Sequence, residues 1–198
     1  LLFDGQLLDG EAPKGVEIYS SGAAADEFPE IVEKFHSKAS GKFDTLVSTR
    51  PDFGILIRVL DGESATLDLK IISKLTVSAA SVIVWLGKGS SLRLRKTNLA
   101  FGGSFAALKC GYVLEENSSL ELASLKYSSK YSIAYEREDF SLAEGSSVVD
   151  AVALSAKGPS RQERNFEISS SGCSADSRIF VSADSDATQD IRTSQIHS

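Results

Sequence analysis

From Gly54 onward, apolar and polar positions alternate with a spacing of two. Leu92 and Leu94 flank Arg93, and Leu120 and Leu122 flank Glu121, the pattern of a pleated strand with one buried face. The alternation predicts strands over 55–60, 65–72, 81–86, 91–95, 105–114, 120–125, 131–135, 148–154, 165–168 and 178–181, with Gly, Ser, Asn and Asp at the corners between them. One phrase recurs at the mouths of these runs: Glu63-Ser64-Ala65-Thr66-Leu67, Lys88-Gly89-Ser90-Ser91-Leu92, Glu116-Asn117-Ser118-Ser119-Leu120 and Glu144-Gly145-Ser146-Ser147-Val148. With Leu67, Leu92, Leu120 and Val148 as markers, the intervals are 25, 28 and 28 residues, and a fainter copy, Gly172-Cys173-Ser174-Ala175, follows after 27. A period of this size marks a solenoid, whose repeats bury their apolar faces only by stacking. Each rung has room for two or three strands. The expected fold is mostly β, a parallel β-helix in which the four markers form one inward column.

The first fifty residues read differently. Strands are expected over 1–8 and 16–19, then one helix over 26–38, with Asp26 as cap, Pro29 in the first turn, and Phe28, Ile31, Val32 and Phe35 along one face. That helix is expected to plug the open end of the solenoid, where strand edges would otherwise be bare. The chain thus divides into 1–50, the N-terminal strands and capping helix, and 51–198, the β-helix core. Residues 182–198 are polar, but Ala187, Ile191 and Ile196 support a last rung with no capping element after it. The core is therefore expected to continue beyond both ends of the sequence, and its C-terminal rungs, around Ile179 and Ile191, to pair with another chain.

Composition narrows the function classes. The 198 residues carry a net charge of −6, which argues against a nucleic-acid groove lined by Lys and Arg. No apolar run of about 18 residues occurs, so no membrane span is expected. The opening Leu1-Leu2-Phe3-Asp4-Gly5 lacks the basic lead-in of a signal peptide. Two cysteines make no disulfide framework, and Cys110 and Cys173 fall at different places on the rung. Unpaired cysteines suit a reducing compartment.

Both cysteines are candidates for sulfur carriage or cluster ligation, because a thiolate is the nucleophile and soft ligand such chemistry requires; the competing reading is a small buried or corner residue. Four convergent ligands are not visible, so a complete cluster site would have to be shared between subunits. His197 is a third candidate, and His36 reads as a residue on the polar side of the helix. Gly87-Lys88-Gly89 lacks the third glycine and the helix of a dinucleotide loop. Asp184, Asp186 and Asp190 lack the glycine and closing glutamate of a calcium loop. Tyr127, Tyr131 and Tyr135 are read as strand packing. Asp68 and Asp150 are assigned to an outward slot that Arg93 and Glu121 hold between them, which leaves no acidic cleft.

Several stretches, in order, resemble the SufB/SufD family of iron-sulfur cluster assembly scaffolds, the SufD branch more than SufB. Leu2-Phe3-Asp4-Gly5-Gln6-Leu7, Pro13-Lys14-Gly15-Val16-Glu17-Ile18 and Glu30-Ile31-Val32-Glu33 are similar to the family's lead-in. Gly87-Lys88-Gly89-Ser90-Ser91-Leu92 and Glu116-Asn117-Ser118-Ser119-Leu120-Glu121 resemble its corners. Gly158-Pro159-Ser160-Arg161-Gln162-Glu163-Arg164-Asn165, and the segment from Asp186 to His197, resemble later family stretches, the last one histidine-bearing. The resemblance implies a cytoplasmic, right-handed parallel β-helix that is not itself an enzyme. It implies a SufC-type ABC ATPase and a SufB-like subunit as partners, and a homo- or heterodimer through the C-terminal β-helix. No cofactor is implied for this chain alone, since the ATPase-docking and assembly regions of the SufD branch are expected after the last residue. The functional Cys of SufB-type members has no counterpart, because Val113-Leu114-Glu115-Glu116 stands at that corner and Cys110 lies nearby but not at that place. The alternative is a carbohydrate-active or purely structural β-helix, the former requiring clustered carboxylates on an exposed face.

Overall fold

The computed structural model describes residues 2–3, 6–7, 12–36, 41–49, 53–74, 76–184 and 186–197. The N-terminal part comprises β1 (Leu2–Phe3), β2 (Gln6–Leu7), β3 (Val16–Ser20), α1 (Ser21–Glu27), α2 (Pro29–His36) and α3 (Lys42–Thr49). Strands then follow without interruption: β4 (Phe53–Val59), β5 (Ser64–Ser73), β6 (Val77–Leu86), β7 (Ser91–Ala100), β8 (Phe105–Leu114), β9 (Ser119–Ser128), β10 (Ile133–Leu142), β11 (Ser147–Ala156), β12 (Ser160–Ile168), β13 (Ser174–Ala183) and β14 (Gln189–His197). Each rung gives one strand to each of two seven-stranded sheets. Sheet A runs β13-β11-β9-β7-β5-β1-β2, and sheet B runs β14-β12-β10-β8-β6-β4-β3. From β4 onward every pairing is parallel, whereas β3 lies antiparallel on β4. The chain is the parallel β-solenoid that the repeat predicts. No helix among the described residues is long and apolar enough to cross a membrane.

The corners set the register. Gly89, Asn117 and Gly145 have φ of 65°, 57° and 68°, and stack through Gly89 N–H to Glu116 O and Asn117 N–H to Glu144 O, both 2.9 Å. Each is the third residue of a turn closed by Ser90, Ser118 or Ser146 donating its N–H over 3.1 Å to the residue three before, and positive φ at that place is what a type II turn demands. The same serine hydroxyls donate to the same carbonyls at 2.7, 2.7 and 2.6 Å. Counting from these corners, the inward column is Ala65, Leu92, Leu120, Val148 and Ala175. This corrects the expected column by two residues at its first member. Leu67 belongs to the next column, beside Leu94, Leu122 and Asp150. Leu67 is the first large apolar residue after its corner, but the turn and not side-chain size dictates where the strand begins.

Between the sheets lies the main core, including Val82, Val84, Leu86, Leu92, Leu94, Leu114, Leu120, Leu122 and Leu142, each such side chain contributing about 1.5–3 kcal/mol when fully buried. Tyr112, Phe140 and Phe166 pile one per rung, with successive centroids 4.5 Å apart and planes within 12°.

The helices differ from the expected single plug. Ser20 caps α1 by accepting the Ala23 N–H at 3.3 Å, and Phe28 leaves helical geometry at φ −133° before Pro29 starts α2. Residues 37–40 lie outside the described residues. Both α2 and α3 pack against the outer face of sheet B and not over the end of the solenoid. Phe35 packs with Ala24, Leu56 and Ile83, in space that Gly111 leaves open, since a Cβ there would sit 2.4 Å from the Phe35 ring. Val47, with Phe43 beside it, covers Ala79, Ala107 and Tyr135. The cause is the outer face itself: Leu56, Ile83 and Ala107 need cover, and the helices' apolar faces supply it. β3 occupies the N-terminal edge of sheet B. Tyr131, expected inside a strand, sits at a corner and is 77% exposed.

Candidate functional site

The interior between the sheets changes character halfway along each strand. On β7 the parity of Leu92 and Leu94 continues to Lys96, and on β9 that of Leu120 and Leu122 continues to Lys126, both buried. On β10, Glu136 and Glu138 share the inward face with Phe140 and Leu142, and β11 and β12 add Asp150 and Arg164. Lys96 Nζ donates to Glu136 Oε1 at 2.7 Å, to Glu138 Oε1 at short range, and to the Tyr112 hydroxyl at 3.1 Å, with Cys110 Sγ 3.5 Å away. Lys126 Nζ donates to Glu138 Oε2 and Gln162 Oε1, both at 2.9 Å, and lies 3.3 Å from Glu136 Oε1. Arg164 places Nη1 2.8 Å from Glu138 Oε2 and pairs Nη2 with Asp150, whose Oδ2 also accepts the Ser177 hydroxyl at 2.8 Å. Lys96, Lys126 and Arg164 balance Glu136, Glu138 and Asp150, so the lumen is neutral as a whole.

That balance decides each protonation state. Burial alone would discharge Lys96, but Cys110, Glu136, Glu138 and Tyr112 around it hold its pKa well above the usual lysine range. Burial opposes ionisation of Glu138, yet Arg164, Lys126 and Lys96 keep it well below the carboxylate range, and Lys126 and Lys96 do the same, less strongly, for Glu136. Burial pushes the Asp150 carboxyl up in spite of Arg164. The Cys110 thiol is pushed up to about 12 by burial, against the pull of Lys96.

These states fix what the cluster can do. A thiol held neutral is neither nucleophile nor good metal ligand. Cys110, Glu136 and Glu138 bring ligand atoms within 4.8 Å of one another, but the Lys96 ammonium sits among them, and Lys126 and Arg164 add two more positive charges. A divalent cation does not fit there. An iron-sulfur cluster does not fit the described residues either, because its thiolates would have to come from Cys110 and Cys173 alone. The lumen holds a buried, charge-neutral polar cluster.

The sequence candidates are scattered. Cys110 lies in the lumen, fully buried. Cys173 takes the corner position held by Ser90, Ser118 and Ser146 and turns its thiol to the Ala143 carbonyl, 3.0 Å away. His197 is exposed on β14, in register with Ile168. Both cysteines are free. His36, at the end of α2, has its pKa lowered by burial and by Lys109, and its Nδ1 is buried without a hydrogen-bond partner among the described residues.

Asp150 was expected to point outward and points inward, buried, because its true column partner is Leu122 and not Glu121. On the outer face of sheet A, Arg95 pairs with Asp68 and Arg93 with Glu121, at 2.8 and 2.7 Å. Under α3, Asp44 meets Lys109 at 3.2 Å and Arg137 at 2.9 Å, and Arg137 also holds Asp139. Sequence reading missed the lumen charges because isolated Lys and Glu read as solvent-facing; the parity of Leu92-Leu94-Lys96 is the signal that finds them. No family model matches the chain, and no curated protein matches it.

Proposed function

We propose that this chain is a non-enzymatic scaffold subunit of a Suf-type iron-sulfur cluster assembly complex, acting in the cytoplasm with an ABC-type ATPase and a SufB-like subunit. One observation supports the reading: the stretches resembling the SufB/SufD family follow one another along a parallel β-solenoid, the fold that the resemblance implies, and two of them form stacked corners. Pro13 to Ile18 leads into β3, the Gly87 and Glu116 phrases form stacked corners of successive rungs, Gly158 to Asn165 enters β12, and Asp186 to His197 runs into and through β14. Fold alone does not carry function; a closed, charge-neutral lumen and paired charges on the outer face of sheet A suit a scaffold. Glycoside hydrolysis needs two exposed carboxylates about 5–9.5 Å apart acting together, and Asp68 and Glu121 are each engaged by arginine.

The test is co-expression with a SufC-type ATPase and a SufB-like subunit, purifying through a tag on the ATPase. Stoichiometric recovery of this protein, and loss of cluster assembly when it is left out, are expected. Elution alone in the presence of both partners, with cluster assembly unchanged by its omission, would overturn the proposal.

A further inference from the structure

The outer face of sheet A changes character along its strands. Its first outward positions carry charge, with Arg93 held by Glu121 and Arg95 by Asp68. Further along, the outward positions turn apolar. Leu125 and Phe180 are 48% and 67% exposed, and a groove of about 370 Å³ runs over Ala123, Ala151 and Ala153 with Leu125 and Phe180 beside it. The register builds this surface. Thr97, Leu125, Ala153 and Phe180 stand in one outward column, and Leu99, Tyr127, Ser155 and Ser182 in the next, so each column mixes large side chains with small ones.

We propose that this face binds a second copy of the same chain, sheet on sheet, about a two-fold axis that lies along the strands between β9 and β11, so that the two solenoids run in opposite directions. A two-fold interface must be complementary to itself, and the register makes this one so. The axis sets β9 on β11 of the second copy and β7 on β13. Leu125 then lies over Ala153, Tyr127 over Ser155, Phe180 over Thr97 and Leu99 over Ser182, a large side chain on a small one at each place, as close packing requires. Charge agrees. Arg93 falls opposite Asp176, and Arg95 falls opposite Arg178, but these last two already have their own carboxylates in Asp68 and Asp176, so no charge is stranded. Stacking with the solenoids parallel would instead reverse the column order and lay the arginine columns on those of Leu99 and Leu125. The area suffices. The five ten-residue strands of this face cover about 33 Å by 24 Å, about 800 Å² per copy, the size of a standard interface. The surface is separate from the C-terminal strand edges, and the proposal does not rest on the Suf reading.

The test is sedimentation equilibrium of the protein from about 1 to 200 µM, over which a dimer with a dissociation constant of about 10 µM is expected. Phe180→Asp should weaken it at least about tenfold, because an unpaired carboxylate enters the interface; should that variant fail to fold by circular dichroism, Ala153→Glu serves instead. Leu125→Ala and Ala153→Leu should each weaken the dimer, whereas the two together exchange large and small across the axis and should restore it to within about threefold. Ile196→Asp, exposed on sheet B, should leave it unchanged. A monomer at every concentration, the result if another protein or a lipid surface covers this face, would overturn the proposal. So would a dimer indifferent to a folded Phe180→Asp or Ala153→Glu variant, one broken by Ile196→Asp, or one that the paired exchange at 125 and 153 does not restore.

Discussion

Replacing Lys96 by Met tests the lumen most directly. Met keeps the length of the side chain and so leaves little void, but it removes the ammonium from between Glu136 and Glu138, all three side chains being no more than 2% exposed. Two carboxylates then share Lys126 and Arg164 with Asp150, one negative charge in excess. Removing one partner of a buried ion pair costs about 3–5 kcal/mol, a large part of the roughly 5–15 kcal/mol that holds a domain together. The cost depends on pH in a defined direction. In the unsubstituted protein Glu136 and Glu138 have folded pKa values below their unfolded ones, so their contribution is present above about pH 4.3 and is lost only as pH falls through the folded values. In the variant the uncompensated carboxylate titrates above its unfolded value, so lowering the pH from 7.5 to 5 stabilises it and narrows the gap. Urea unfolding followed by the single tryptophan, Trp85, and by far-UV circular dichroism at both pH values measures this. Adding Glu136→Gln, which restores neutrality, should recover at least about half of the loss, as expected of coupled neighbours. A loss below about 1 kcal/mol that is equal at both pH values would show that the lumen charges are solvated, and the argument would fail.

Leu120→Ala, in the centre of the inward column, should cost about 2–5 kcal/mol by the same unfolding assay; a near-zero change would mean that the column is not closed. Gly145→Ala should cost about 1–3 kcal/mol, because φ is +68° and the new Cβ would meet Asn117 Oδ1 at 2.4 Å, whereas Asn117→Gly should be close to neutral. Native alkylation at pH 8 followed by peptide mass spectrometry should label Cys173 and spare Cys110, whose thiol is buried and titrates at about 12; comparable labelling of both would contradict the closed lumen. Incubation of the pure protein with nucleotide or polysaccharide should give no turnover, and turnover abolished by one point substitution would overturn the scaffold reading.

The solenoid was legible because its two signals are local: the period of two within strands such as β7, and the corner phrase repeated at every rung. What the sequence did not disclose depends on geometry across rungs. Lys96, Lys126 and Glu138 look individually like surface charges, and only stacking β7, β9 and β10 makes them neighbours 12 to 42 residues apart. Asp150 was misplaced for a local reason: it shares the parity of Val148, Val152 and Leu154, which puts it on the inward face, but a lone carboxylate reads as solvent-facing. The helices were half legible. The face with Ile31, Val32 and Phe35 was evident, but α1 and α3 are 7 and 8 residues long, too short for periodicity to rise above noise. The place of α2 and α3 on sheet B depended on Gly111 leaving room for Phe35 and Ala107 for Val47, which no local pattern encodes.

The neutral lumen also constrains how this sequence can drift. A leucine in the inward columns can be exchanged for another aliphatic residue at modest cost, so those positions diverge one at a time. Lys96, Lys126 and Arg164 cannot, because losing any one charge strands a carboxylate on the opposite sheet. Viable descendants must change such residues together, Lys96 with Glu136 or Arg164 with Asp150, and the solenoid's history should be written there as paired substitutions far apart in the chain.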